Sequence, residues 1–236
     1  MIKYNRILLK LSGEALMDQQ QSISAKKLIH YIDQIKEVAE LGVEVGIVIG
    51  GGNIFRGLKN NNTGIDRVNG DYMGMLATVI NSIGLKSALQ QNGLNAKVLA
   101  ATRMEPIADF YSRSKALRAL SSKTIVIFSG GTGNPFFTTD TAASLRAVEI
   151  NADVLIKGTD VDGIYSDDPK KNPKATKIDS LNFDDAINKN LKVMDMTAFT
   201  MCKENKLPII VCNINKQGIL KDTVLGKNTG TIVAPA

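Results

Sequence analysis

Short apolar runs alternate with segments of helical period along the whole chain. Ile7-Leu8-Leu9-Lys10-Leu11 is apolar but for one lysine and stops at Ser12-Gly13, as a buried strand does. Leu28, Ile32, Ile35 and Ala39 fall on one helical face, which predicts a helix over about 25–41. Ser24 is its candidate cap, and Gly42 sits where a left-handed residue is wanted after a helix end. Val43 to Ile49 reads as a second strand, ending in Gly50-Gly51-Gly52. Asp71 opens a long helical pattern through Met75, Val79, Ile83 and Leu89, closed by Asn92-Gly93. Val98 to Ala101 and Thr124 to Phe128 are two more strands. Thr139 or Asp140 is expected to cap a helix through Ala143, Leu145 and Val148. Val154-Leu155-Ile156 and Ile209 to Cys212 complete the set, and Thr231-Ile232-Val233 adds an edge strand.

Near-continuous apolar strands separated by helices predict the α/β class, a three-layer sandwich with a mostly parallel central sheet covered by helices on both faces. No internal repeat, low-complexity tract or Pro- and Ser-rich linker divides the sequence, so its 236 residues read as one domain. No apolar run approaches the roughly 18 residues of a spanning helix. The start, Met1 to Arg6, lacks the apolar stretch of a signal peptide, and the cytoplasm is the expected address.

Composition narrows the chemistry. Two cysteines, Cys202 and Cys212, without a CxxC pair, exclude a disulfide framework or zinc cluster and are expected as small core residues. A single histidine, His30, leaves a Ser-His-Asp triad or a His-based metal site without material. It sits inside the first predicted helix as a surface or interhelical residue. The 29 Lys and Arg against 23 Asp and Glu, a net charge of +6, suit an anionic partner, either nucleic acid or a phosphorylated small molecule. The basic residues are spread out, and 5% aromatic content offers few stacking platforms, which weighs against nucleic acid. The densest basic stretch, Lys170 to Lys177, reads as a solvated loop.

Ligands of such sheets bind outside the carboxyl ends of the strands. Three of those ends carry glycine: Ser12-Gly13, Gly50-Gly51-Gly52 and Gly130-Gly131-Thr132-Gly133. Glycine lets the backbone approach an anion and turn its N–H groups toward it. None of the three matches GxxxxGK[ST] or GxGxxG, so an anion-binding edge of another design is predicted. Lys10 interrupts its strand just before Ser12; it either reaches solvent or meets an anion, because an unpaired buried ammonium is costly. Arg56 could offer a planar fork for phosphate. Asp140, Asp153, Asp160, Asp162 and Asp168 crowd the later strand ends, though a capping role suits Asp140 and turn roles suit Asp160, Asp162 and Asp168 equally.

Several runs carry a family resemblance. They are Leu8-Leu9-Lys10-Leu11-Ser12-Gly13-Glu14-Ala15-Leu16, Val48-Ile49-Gly50-Gly51-Gly52-Asn53-Ile54-Phe55-Arg56-Gly57, Gly70-Asp71-Tyr72-Met73-Gly74-Met75-Leu76-Ala77-Thr78 and Gly131-Thr132-Gly133-Asn134-Pro135-Phe136-Phe137-Thr138-Thr139-Asp140, supported by Lys192-Val193-Met194-Asp195. In order from about Tyr4 to Ile232, the chain resembles the bacterial uridylate (UMP) kinases of the amino-acid kinase superfamily. The resemblance implies ATP- and magnesium-dependent transfer of the γ-phosphoryl group to UMP, giving UDP in pyrimidine nucleotide biosynthesis. By similarity, Lys10, Leu11, Ser12 and Gly13 hold the ATP phosphates, joined by Gly52 and Arg56, and Lys10 stabilises the group in flight. Thr159, Tyr165 and Asp168 would frame adenine and ribose. Gly51, Asp71 and the run Thr132, Gly133, Asn134, Pro135, Phe136, Phe137, Thr138 and Thr139 would bind UMP. Asp140, Asp153 and Asp195 are the acidic candidates for organising the lysine and the metal-nucleotide, with Mg2+ carried by the phosphates and no direct protein ligand.

On this resemblance the part before about residue 150 serves mainly UMP and the part after it mainly ATP. A UMP phosphate is already an anionic nucleophile, so the lack of a histidine site costs the mechanism nothing. The family is hexameric, and a homohexamer is implied. Many relatives carry a glycine-containing segment after Glu-Ala-Leu that is associated with activation by GTP; here it reads Met17-Asp18-Gln19-Gln20-Gln21-Ser22. Gly84 to Thr124, where relatives have effector and subunit contacts, shows no motif, so a GTP activator and a UTP inhibitor stay open. Another superfamily member acting on carbamate or acetylglutamate, and a non-catalytic nucleotide-binding regulator, are the alternatives.

Overall fold

The computed structural model describes residues 1–56, 64–167, 169, 171–188, 191 and 194–235. Its elements are β1 (Arg6–Leu11), a 3-10 turn (Gly13–Leu16), α1 (Ala25–Glu40), β2 (Glu44–Ile49), α2 (Arg67–Gln91), β3 (Ala96–Ala100), β4 (Asp109–Phe110), α3 (Arg113–Ser121) and β5 (Ile125–Ser129). There follow α4 (Thr139–Glu149), β6 (Val154–Thr159), β7 (Ile164–Tyr165), β8 (Lys177–Ile178), β9 (Ser180–Asn182), α5 (Phe183–Asn188), α6 (Met196–Glu204), β10 (Ile209–Asn213), α7 (Ile219–Val224) and β11 (Gly230–Ala234). Nine strands form one sheet in the order β4-β3-β5-β2-β1-β6-β10-β11-β9, while β7 and β8 pair separately. Neighbours in the large sheet run parallel except where β11 meets β10.

Strand alternation sorts the core into two layers. Ile7, Leu9 and Leu11 of β1 face α1, α2 and α7, together with Ile32, Ile35, Leu85 and Val224. Leu8 faces the other way, with Ala143 and Ala147 of α4, Leu120 of α3 and Phe199 of α6. The expected sandwich, a mostly parallel sheet with helices on both faces, is therefore present. Gly42 has the left-handed φ of +85° expected after α1. Cys202 and Cys212 are fully buried, and burial pushes their thiols up to about 11 and about 12. His30 makes an interelement contact, its Nε2 lying 3.2 Å from the Ile214 carbonyl. Among the described residues no helix is long and apolar enough to cross a membrane.

Four expectations need correcting. Helix α2 starts before Asp71: Asp66 is its cap, accepting the Asn69 N–H at 3.0 Å, so Asp71 lies within the second turn. Neither Thr139 nor Asp140 caps α4. Thr138 does, its hydroxyl accepting the N–H groups of Asp140 and Thr141. Ser24 holds the cap position of α1 but makes no side-chain capping bond. The strand at Thr231 to Val233 is not the edge, because β9 pairs outside it.

Candidate active site

Strand β1 is the topological switch point, with β2 on one side and β6 on the other, and ligands of such sheets bind where the strand order diverges. The carboxyl ends of β1, β2, β5 and β6 deliver Ser12, Gly50, Gly130 and Thr159 to one edge. Two glycines there are fixed by close approach. A Cβ on Gly13 would lie 2.7 Å from the Gly50 carbonyl oxygen and 2.8 Å from the Gly52 nitrogen. One on Gly51 would lie 2.7 Å from the Ala77 Cβ and 2.8 Å from the Gly74 oxygen. Backbone thus packs on backbone between the first two turns, and helix α2 lies directly against the second.

Register brings two lysines together. Lys10 of β1 pairs with Lys157 of β6, so both ammonium groups leave the sheet on the α4 face, the face of Leu8. Asp140, in the first turn of α4, lies between them: its Oδ1 is 2.8 Å from Lys10 Nζ and its Oδ2 2.7 Å from Lys157 Nζ. Burial would raise the Asp140 carboxyl, but the two ammonium charges outweigh it and hold it below the usual carboxylate range. Burial lowers Lys157 from its ordinary value, Lys10 adds to that, and Asp140 opposes it. Asp195 joins from the start of α6. It accepts the Ala198 N–H at 2.9 Å, the Thr141 hydroxyl at 3.0 Å and the Thr138 hydroxyl, locking the beginnings of α4 and α6 together. The sequence reading missed Lys157 and Thr141. The signal for Lys157 was weaker than for Lys10, an ammonium that closes the apolar run Val154-Leu155-Ile156 just before Gly158.

A cleft of about 380 Å³ opens beside this cluster, within the size range of small-molecule sites. Gly51, Gly52, Arg56, Asp71, Thr132, Phe137, Thr138 and Thr139 line it, as do Arg67 and Thr78, which the sequence reading did not single out. Asp71 Oδ2 accepts from Arg67 Nε at 2.8 Å and from the Phe136 backbone N–H at 2.7 Å. That bond draws the loop of Gly133, Asn134 and Pro135 toward α2; Phe136 takes a left-handed φ of +72° and exposes most of its ring. Arg56 donates to the Gly52 carbonyl and pairs with Glu14. Beyond β6, Thr159 closes a turn onto Val161, and the Tyr165 hydroxyl donates to Asp162 at 2.6 Å. The Leu11 side chain is wholly in the core, leaving only its backbone at the edge. Asp168, Gly57, Lys170, Lys192 and Val193 lie outside the described residues.

Asp153 does not join the site. It precedes β6, level with Arg6 at the amino end of β1, roughly 13 Å of strand away from Lys10. Its Oδ2 accepts the backbone N–H groups of Asn5 and Arg6 at 2.6 and 2.9 Å, which makes it an anchor for the entry to β1.

The model of the amino acid kinase family matches residues 5–213. The chain belongs to the amino acid kinase family. It is 59% identical over 234 residues to proteins named uridylate kinase from Parabacteroides distasonis and Bacteroides thetaiotaomicron, with 99% of each chain covered. Among amino acid kinase structures, it is similar to a UMP kinase from Bacillus anthracis, with a TM-score of 0.95 at 40% identity over 98% of this chain and 96% of that one. A UMP kinase from Ureaplasma parvum gives a TM-score of 0.93 at 37% identity, covering 99% and 100%.

Two outcomes follow from the geometry. Asp153→Ala should cost about 1–3 kcal/mol in denaturant unfolding, for two lost charge-assisted bonds, while kcat stays within about twofold. A large fall in kcat without loss of stability would return Asp153 to the site. Asp140→Asn removes the carboxylate that bridges two buried ammonium groups and should cost about 3–5 kcal/mol at pH 7. Because the native Asp140 carboxyl lies below its unfolded value of 3.8, the wild-type advantage is complete above that pH and declines as the pH falls through the native value. Unfolding free energies of both proteins between about pH 7 and 3 should therefore converge toward acid; parallel curves would contradict the charge assignment.

Proposed function

We propose that this amino acid kinase is a UMP kinase, transferring the γ-phosphoryl group of ATP to UMP to give ADP and UDP on the route to UTP and CTP. The observation that carries the reading is the Lys10–Asp140–Lys157 cluster, buried near the carboxyl ends of β1 and β6 beside the cleft that the glycine turns and Asp71 line. Whole-length identity to named uridylate kinases supports UMP as the acceptor.

Phosphoryl transfer asks for in-line placement of two polyanions and for offset of the charge that spreads over the equatorial oxygens. Leu11, Ser12, Gly13, Gly52 and Arg56 hold the ATP phosphates in this reading, and Lys10 and Lys157 together meet the group in transfer. Asp140 lies between those two cations and offsets part of their charge. Thr159, Tyr165 and Asp168 frame the ATP base and ribose. UMP occupies the cleft against Gly51, Asp71 and the run from Thr132 to Thr139. The part of the chain before about residue 150 serves mainly UMP and the later part mainly ATP. Carried by the ATP phosphates, Mg2+ would supply neutralisation of their oxygens. The carboxylates of Asp140 and Asp195 would organise the site around that metal-nucleotide, Asp140 by holding Lys10 and Lys157 and Asp195 by accepting threonine hydroxyls. The acceptor phosphate is an anionic nucleophile, so no side chain has to remove a proton.

The enzyme works in the cytoplasm as a homo-oligomer, a hexamer by family resemblance. Tyr72, Leu76, Ile80 and Ile83, a half-exposed apolar stripe at helical spacing on α2, support subunit contact. GTP as activator and UTP as inhibitor belong to the reading as effectors to be added to the assay.

ADP release should be fast with UMP, at least about 100-fold slower in kcat/KM with CMP, and at background with carbamate or acetylglutamate, because a mismatched buried donor or acceptor is left unpaired. ADP release with UMP no faster than without acceptor would overturn the reading. Asp71→Asn should raise KM for UMP with little change for ATP, and the preference for UMP over dUMP should shrink by about 1–2 kcal/mol, since a charge-assisted bond to a ribose hydroxyl is weakened. The four kcat/KM values form a double difference; a value of zero would leave Asp71 as an anchor of the Phe136 loop only.

A further inference from the structure

We propose that Asn81 and Asn53 form a positioning pair that sets the glycine turn after β2 against helix α2, and so aligns donor with acceptor; the inference rests on the UMP kinase reading. Asn81 lies in the middle of α2 and is fully buried. Asparagine is a weak helix former, and a buried amide is costly unless every polar atom is bonded. Here the bonds are made. Asn81 Nδ2 donates to the Gly50 carbonyl at 2.7 Å and to Asn53 Oδ1 at 2.8 Å. Asn53 Nδ2 donates back to Asn81 Oδ1 at 3.0 Å and to the Ser22 carbonyl at 2.7 Å.

The bonds fall where regular structure runs out. Gly50 still donates its N–H to Leu11 of β1 at 2.9 Å, but its carbonyl lies past the last residue of β2, and Asn81 takes it up. One turn earlier on the same helix, buried Thr78 accepts the Gly130 N–H at 2.8 Å, at the end of β5. Residues three apart share a helix face, so α2 holds the turn after β2 with Asn81 and the turn after β5 with Thr78. The same helix carries Asp71 into the cleft and backs Gly51 with Gly74 and Ala77. In the UMP kinase reading the turn after β2 meets both substrates, Gly52 the ATP phosphates and Gly51 UMP, while the turn after β5 meets UMP, and α2 is the common rod that fixes their separation. The asparagine pair touches neither reacting group.

A misplacement of about 1 Å between reacting groups can cost on the order of 100-fold in rate. Asn81→Leu keeps the volume and removes the amide; kcat with UMP should fall about 30- to 100-fold, with KM for UMP and for ATP within about threefold of wild type. Asn53→Ala, at a half-buried position, should lower kcat at least about tenfold with the same KM pattern. Because the two amides act as one unit, adding Asn53→Ala to Asn81→Leu should change kcat by less than about twofold. A purely structural role would lower Tm and leave kcat of the folded enzyme at the wild-type value, or give multiplicative effects in the double variant; either result overturns the proposal. Should Asn81→Leu fail to fold, Asn53→Ala decides by the same kcat and KM criterion. Wild-type turnover is measured first: if UMP is not the acceptor, the UMP reading fails, and the same comparison on the acceptor that does react judges the pair independently.

Discussion

Two ammonium groups about 5 Å apart, the spacing of adjacent strands, repel each other by about 3 kcal/mol at the effective dielectric of roughly 20 that suits protein sites. The carboxylate of Asp140 makes the arrangement tenable, and much of the surrounding structure follows from the need to hold it there. It has to come from the first turn of a helix that starts directly over the ends of β1 and β6. Had Asp140 been the cap of α4, its oxygens would have turned back to the helix's own N–H groups. Thr138 takes the capping duty instead, and Asp195 in turn holds Thr138 and Thr141, so the carboxylate that meets the lysines is spared for them.

The parts of the fold that were legible in the sequence are those in which burial is two-sided. Parallel strands covered on both faces are apolar throughout, and β1, β2, β5, β6 and β10 announce themselves in that way. Helix α1 is long enough to show its period. The six-residue helices α5 and α7 span fewer than two turns and leave no periodic trace. The opening of α2, Arg67-Val68-Asn69-Gly70, has no apolar repeat, which is why the pattern begins too late at Asp71.

The site divides along the same line. Glycine turns and Lys10 stand out because each breaks a local rule: glycine at a strand end, charge within an apolar run. Lys157 stands only at the end of its apolar run, before Gly158, and only the register between β1 and β6 reveals that the two lysines are partners. Asp153 shows the converse failure. An aspartate next to a strand is indistinguishable by sequence from one at its other end, and the direction of β6 decides that it anchors backbone rather than facing a ligand. Asn81 was equally silent, since a polar residue amid a helical pattern reads as solvent-facing until the helix is docked.

The two outermost strands of the large sheet, β4 and β9, are only two and three residues long. An open sheet ends in unpaired N–H and C=O groups that invite a strand from another molecule. Here the borders offer too few consecutive groups to register a foreign strand. A sheet of nine strands is thereby closed to fibrillar growth at both margins without being rolled into a barrel.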